Sequence, residues 1–178
     1  MTRTLSLRGK ITTADNAQVL DHQIFIYEAN DLTRGWIVEA AYLWPCTTRV
    51  SVGADGGFQA CATLTTDTIS YSGIGFDEMS DATDNRQIGW CNSGYLLRDS
   101  AVTDYLSNQS NPPNPAPFVI DPEHVVANGL FMQFYTTSDY STAPARDWNY
   151  MVILKPKKLD PKETILHLIK NVAQDITN

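Results

Sequence analysis

Three histidines, three cysteines and 20 carboxylates are the side chains of this 178-residue sequence that could run or support a reaction. The histidines, His22, His124 and His167, lie far apart and show neither HExxH nor HxH spacing, so they do not outline a metal site. A thiol nucleophile needs a base within hydrogen-bond reach. Gly89-Trp90-Cys91-Asn92-Ser93-Gly94 holds Cys91 between glycines, and His124 would be the base of a thiol hydrolase built on it. Nothing in the spacing brings the two together, and Cys91 reads more simply as a half-buried residue near a strand end. There is no GxSxG elbow. Carboxylate pairs can be drawn from 20 acids at will, so they point to no glycoside chemistry. The run Asp77, Glu78, Asp81, Asp84 is hard-cation material of the Ca²⁺ type, but it lacks EF-hand spacing and reads as a solvated acidic loop. Cys46, Cys61 and Cys91 form neither an even disulfide framework nor a CxxC pair, which suits assembly in a reducing compartment. No catalytic residue, metal or cofactor is implied.

The elements that would position these side chains are strands. Leu5, Leu7 and Ile11 alternate with Ser6, Arg8 and Lys10, a period-2 pattern for a first strand, with Gly9 marking a bulge. His22–Glu28 and Trp36–Trp44 are apolar on both faces, the second stopped by Pro45. Asp55-Gly56-Gly57 predicts a hairpin joining Thr48–Val52 to Phe58–Leu64. Further strands are expected at Thr68–Ser72, Gln87–Cys91, Phe118–Ile120, Leu130–Thr136 and Asn149–Lys155. Gly129–Tyr135 is almost continuously apolar, as for a strand buried on both faces. Cys61 falls within a strand as a small core residue. Asp77–Asn85 is an acidic loop, and Ser107–Pro117, with four prolines in eleven residues, is a long surface excursion. Short strands separated by turn-rich loops predict an antiparallel β-sandwich, jelly-roll-like.

The end of the chain changes period. Asp160 is an N-cap, Pro161 suits the first helical position, and Glu163 completes a capping box. Ile165, Leu166, Leu168, Ile169, Val172, Ala173 and Ile176 then fall on one broad face. The organisation expected is a β-sandwich domain over 1–155, with a linker and an amphipathic helix over 156–178 packed on the body or on a neighbouring subunit. Pro156 is expected to end the last strand.

Charge and aromatics bound the partners. The net charge is −7, and residues 1–154 hold eight Lys/Arg against 17 Asp/Glu, a net −9. Residues 155–178 hold five lysines against three acids, a net +2. An acidic body argues against nucleic acid, whose phosphates need clustered cations. No apolar stretch is long enough to span a bilayer, and Met1–Ser6 lacks the apolar run of a secretory signal. Four tryptophans, eight tyrosines and six phenylalanines are a further signal. Trp36, Tyr42, Trp44, Trp90, Tyr95, Tyr140, Trp148 and Tyr150 fall near strand ends or polar loops, where aromatics serve interfaces or sugar grooves when they do not fill the core. Tyr105, Tyr140, Ile165, Leu168, Ile169, Val172 and Ile176 are the candidate interface residues.

In layout the chain resembles the small virion structural proteins of bacteriophages, the jelly-roll-like minor capsid and decoration proteins. A strand opens almost at Met1, and a body rich in Thr, Asn, Asp and aromatics follows. Ile120-Asp121-Pro122-Glu123-His124-Val125-Val126 leads into an apolar strand, and the helix Asp160–Lys170 follows the last strand. The resemblance implies binding between or upon capsid subunits, a symmetric homo-oligomer, other capsid proteins as partners, and a place in the virion after assembly in the host cytoplasm. The expected function is therefore a non-enzymatic structural protein. A carbohydrate- or receptor-binding sandwich is the alternative, and a thiol hydrolase at Cys91 the third.

Overall fold

The structure, a computed structural model, describes residues 4–14, 17–27, 33–46, 56–69, 83–97, 115–138 and 145–166. Nine strands appear among them: β1 (Leu5–Thr13), β2 (Gln18–Ile26), β3 (Arg34–Pro45), β4 (Gly56–Thr65), β5 (Gln87–Leu97), β6 (Ala116–Pro117), β7 (Val119–Ile120), β8 (Gly129–Ser138) and β9 (Arg146–Lys158). They form a four-stranded sheet in the order β1-β9-β3-β6 and a five-stranded sheet in the order β2-β8-β4-β5-β7, with all pairs antiparallel. The pairings β1 with β9, β2 with β8, β3 with β6 and β4 with β5 are nested one inside the next. Nested pairs rolled into two facing sheets are the jelly-roll topology, and β7 is a short addition at one edge. The expected antiparallel β-sandwich is the observed fold.

The core lies between the sheets. Ile11, Val38, Ala41, Leu43, Trp148, Val152 and Leu154 of the four-stranded sheet meet Ala60, Ala62, Leu64, Ile88, Leu130, Met132 and Phe134 of the other. Within each strand these residues fall at alternate positions, because successive side chains point to opposite faces, except that the register shift after Val38 puts Ala41 three residues on. Phe134 and Trp148 join the two sheets, with ring centroids 6.0 Å apart. Gly9 is no bulge. It pairs directly with Tyr150 in an unbroken register, and a Cβ at position 9 would run into the Tyr150 ring, which lies over the glycine. The register is irregular elsewhere: in β2, between Val19 and His22 and again between Gln23 and Phe25, in β3 between Val38 and Ala40, and in β4 between Leu64 and Thr65. In β2 Asp21 takes a positive φ of 52°, a conformation aspartate tolerates better than most side chains.

Three expectations about boundaries are corrected. Pro156 does not end β9, which continues to Lys158, so the segment expected as linker begins as strand. Among the described residues β1 pairs with β9 as far as Leu154, and the neighbour of Pro156 is Trp36 of β3. Ala116–Pro117 pairs with Leu43 and Tyr42, so the proline-rich excursion ends in a strand. The strand expected at Phe118–Ile120 is split, because the Phe118 amide bonds Ala41 of one sheet while Val119 and Ile120 pair with β5 of the other. Thr68 and Ile69 are not in a strand, and Thr48–Val52, half of the expected hairpin, lies outside the described residues. The capping box is present: the Glu163 amide donates to Asp160 Oδ1 at 2.7 Å, and the Asp160 amide donates to Glu163 Oε2 at 3.1 Å. The helix α1 is described over residues 161–166.

Candidate functional site

The thiol–imidazole pair does not form. Cys91 is buried in the core, its Sγ 3.6 Å from the Ala116 carbonyl, and burial first and nearby Cys61 second push its thiol up to about 12. A thiol that stays protonated near neutrality is a poor nucleophile. His124 is buried as well, and both of its ring nitrogens are engaged. Nε2 accepts from the Val38 amide at 2.7 Å, and Nδ1 bonds the Asp121 carbonyl. This pattern places the proton on Nδ1. The histidine thus pins the turn at residues 121–126 to β3, beside the register shift between Val38 and Ala40. Burial lowers its affinity for a second proton, against a smaller opposing pull from Asp121. His22 has a lowered affinity for the same main reason, and its Nε2 lies 3.2 Å from the Tyr150 hydroxyl. His167 lies outside the described residues. Among the described residues no group of three His, Cys, Asp or Glu stands close enough to hold a metal ion. Of the acidic run, Asp84 is described, and it forms a forked ion pair with Arg86 at 2.9 Å; Asp77, Glu78 and Asp81 lie outside the described residues. No helix among the described residues is long and apolar enough to cross a membrane.

The outer face of the five-stranded sheet carries a polar layer that periodicity did not reveal. Thr63, Thr65, Gln87 and Gln133 are all buried there. Gln133 is its hub. Its Nε2 donates to Asp21 Oδ1 at 2.9 Å and to Thr65 Oγ1 at 3.1 Å, while its Oε1 accepts from the Asp21 amide at 2.7 Å. Asp21 Oδ1 also accepts from the Ile69 amide at 2.6 Å. The positive φ of Asp21 lets its backbone and its carboxylate reach the same glutamine. Trp90 Nε1 donates to Gln87 Oε1 at 2.9 Å alongside. Satisfied in this way, buried amides and hydroxyls rigidify a sheet.

The outer face of the four-stranded sheet is different. Ile37, Ala40, Tyr42, Trp44, Met151 and Ile153 fall on it together, in register across β3 and β9, and each is only half-buried. Arg8 and Lys10 border them on the edge strand β1, with Lys10 paired to Asp147 at 2.7 Å. Of the aromatics singled out in the sequence, Trp148 and Tyr150 fill the core, while Trp36, Tyr42, Trp44 and Trp90 are half-buried. Of the residues expected at an interface, Ile165 is described and is 58% exposed, with Leu166 beside it at 56%. Tyr105, Tyr140, Leu168, Ile169, Val172 and Ile176 lie outside the described residues. Sequence reasoning missed Ile37, Met151 and Ile153. Their signal was present, since Trp36–Trp44 and Trp148–Leu154 are apolar on both faces, and only one face of a strand in a two-layer sandwich meets the core.

At the end of the sandwich where β3 begins and β9 ends, an open pocket of about 570 Å³ is lined by Tyr27, Trp36 and Pro156 together with Arg34, Lys157 and Lys158. The fold and these surfaces define the class, an antiparallel β-sandwich with an apolar outer sheet face and a cationic pocket at one end. No protein-family model matches the chain, and comparison with curated proteins finds no relative.

Proposed function

We propose that the chain is a non-enzymatic structural protein that associates with further copies of itself through the outer face of its four-stranded sheet, with the tail helix as a second contact. The half-open stripe Ile37, Ala40, Tyr42, Trp44, Met151 and Ile153 carries this reading. Tyr, Trp and Met are among the residues enriched in interface cores, and in an isologous contact the stripe would meet its own copy. The exposed Ile165 and Leu166 support the second contact, since the described part of the helix does not bury these side chains on its own sheet. The locked states of Cys91 and His124 weigh against the thiol hydrolase. Placement in a virion, as a capsid or decoration component docked on other capsid subunits, rests on the sequence layout and extends the same proposal.

Light scattering after size exclusion tests it, on the full chain, on Ile153→Lys, and on residues 1–160. That truncation keeps the buried Leu159, whose amide bonds the Thr33 carbonyl. The expected outcome is an oligomer for the full chain, dissociation by Ile153→Lys, and weakened association on truncation. A monomeric full chain at high concentration would refute the proposal.

A further inference from the structure

The pocket at the β3/β9 end joins two features, an aromatic wall and a cationic rim. Its wall is aromatic and fixed. Trp36 stands edge-on to Phe25 at 5.7 Å and to Tyr27 at 6.0 Å, and its backbone exchanges hydrogen bonds with Val126 at 2.8 and 2.9 Å. Tyr27 is held in turn by its amide on the Asn128 carbonyl at 2.7 Å. Its rim is cationic. Arg34 and Lys158 are direct partners in the antiparallel register, while Lys157, the next residue, is ion-paired with Glu163 at 3.3 Å. Like charges placed opposite each other on a sheet cost stability. They stand here in a protein of net charge −7, so the positive rim is local and runs against the rest of the surface.

We propose that this pocket binds an acidic saccharide, with the C–H face of the sugar ring on the aromatic wall and its carboxylate or sulfate group at the cross-strand pair Arg34 and Lys158. A guanidinium fork suits a carboxylate or sulfate, and Lys158 adds a point charge beside it. Trp36 and Tyr27 are nearly perpendicular, at 85°, so they offer a face and an edge rather than the parallel slot that would sandwich a nucleobase. The pocket's size falls within the range of small-ligand sites, and its openness suits a wet, polar ligand.

The test is calorimetric titration of the full-length protein with a heparin-derived tetrasaccharide, with neutral maltotetraose, with inorganic sulfate and with adenosine monophosphate. The acidic tetrasaccharide saturates, maltotetraose shows no binding, and sulfate binds far more weakly. Lys158→Ala, an exposed position whose thermal midpoint serves as the folding control, weakens binding about tenfold, the loss of one charge-assisted contact. Trp36→Phe weakens it as well, while Lys162→Ala on the helix leaves it unchanged. The assignment fails if the tetrasaccharide does not bind, if sulfate alone binds as well, or if the nucleotide is preferred. It fails equally if Lys162→Ala weakens binding as much as Lys158→Ala, because any basic surface would then suffice.

Discussion

The two sheets turn opposite kinds of surface outward. Behind the five-stranded sheet lie Thr63, Thr65, Gln87 and Gln133, polar yet buried. Behind the four-stranded sheet lie Ile37, Tyr42, Trp44, Met151 and Ile153, mostly apolar yet half open. Residue type alone would have assigned the two faces the other way round. A buried amide is stable only when its hydrogen bonds are made, so the first face is a structural layer whose strength depends on completeness. Apolar surface left in water carries no such internal debt, and it becomes stable by being covered. The first face therefore governs stability, and the second governs association.

The largest expected effect falls on the buried polar layer. Gln133→Ala removes three hydrogen bonds and strands Asp21 in its positive-φ bulge, and we expect a loss of about 3 kcal/mol in urea unfolding. A loss under about 1 kcal/mol would show that the layer is hydrated rather than closed. His124→Ala, which frees the Val38 amide and the Asp121 carbonyl, is expected to cost about 2 kcal/mol by the same measurement. Asp160→Ala, at the helix cap, is expected to cost about 1 kcal/mol. On the open face the order reverses. Trp44→Glu and Ile153→Lys are expected to change stability by about 0.5 kcal/mol or less while abolishing association, because a half-exposed side chain loses little burial within one chain. Stability losses there as large as that of Gln133→Ala would erase the distinction between the two faces.

Acidification sharpens the same contrast. The folded protein holds His22 and His124 below the ordinary imidazole value, in both cases chiefly through burial. The unfolded chain therefore takes up these protons first. Stability is full above pH 6.5, the value for a free imidazole, and falls as the pH drops below it toward the folded values. The thermal midpoint should fall over that window. His124→Gln, which cannot take up a proton, should flatten the slope.

Much of the architecture is legible in the residues. Period-2 alternation marks β1 and β4, near-continuous apolar runs mark β8 and β9, and Asp160-Pro161 with Glu163 marks the start of the helix, because these signals are local. Pairing is not local. Nothing in Thr48–Val52 or Phe58–Leu64 says which sheet will take β4, and its observed partners, β5 and β8, lie far along the chain. Pro156 misleads because a proline ends a strand only where its N–H is needed, and that depends on pairing, here with Trp36 of β3. The polar layer was hidden because Thr63 and Gln133 at alternate positions look like a solvent face. His124 and Cys91 looked chemical by type, and only their partners, the Val38 amide and the Ala116 carbonyl, show them to be structural.

The most direct measurement is the solution mass of the full chain beside that of Ile153→Lys, taken at one high concentration by light scattering. Association through the open face requires a multiple of the 19.8 kDa protomer for the first and a single protomer for the second. Equal masses for the two proteins, whether both single or both multiple, would contradict it.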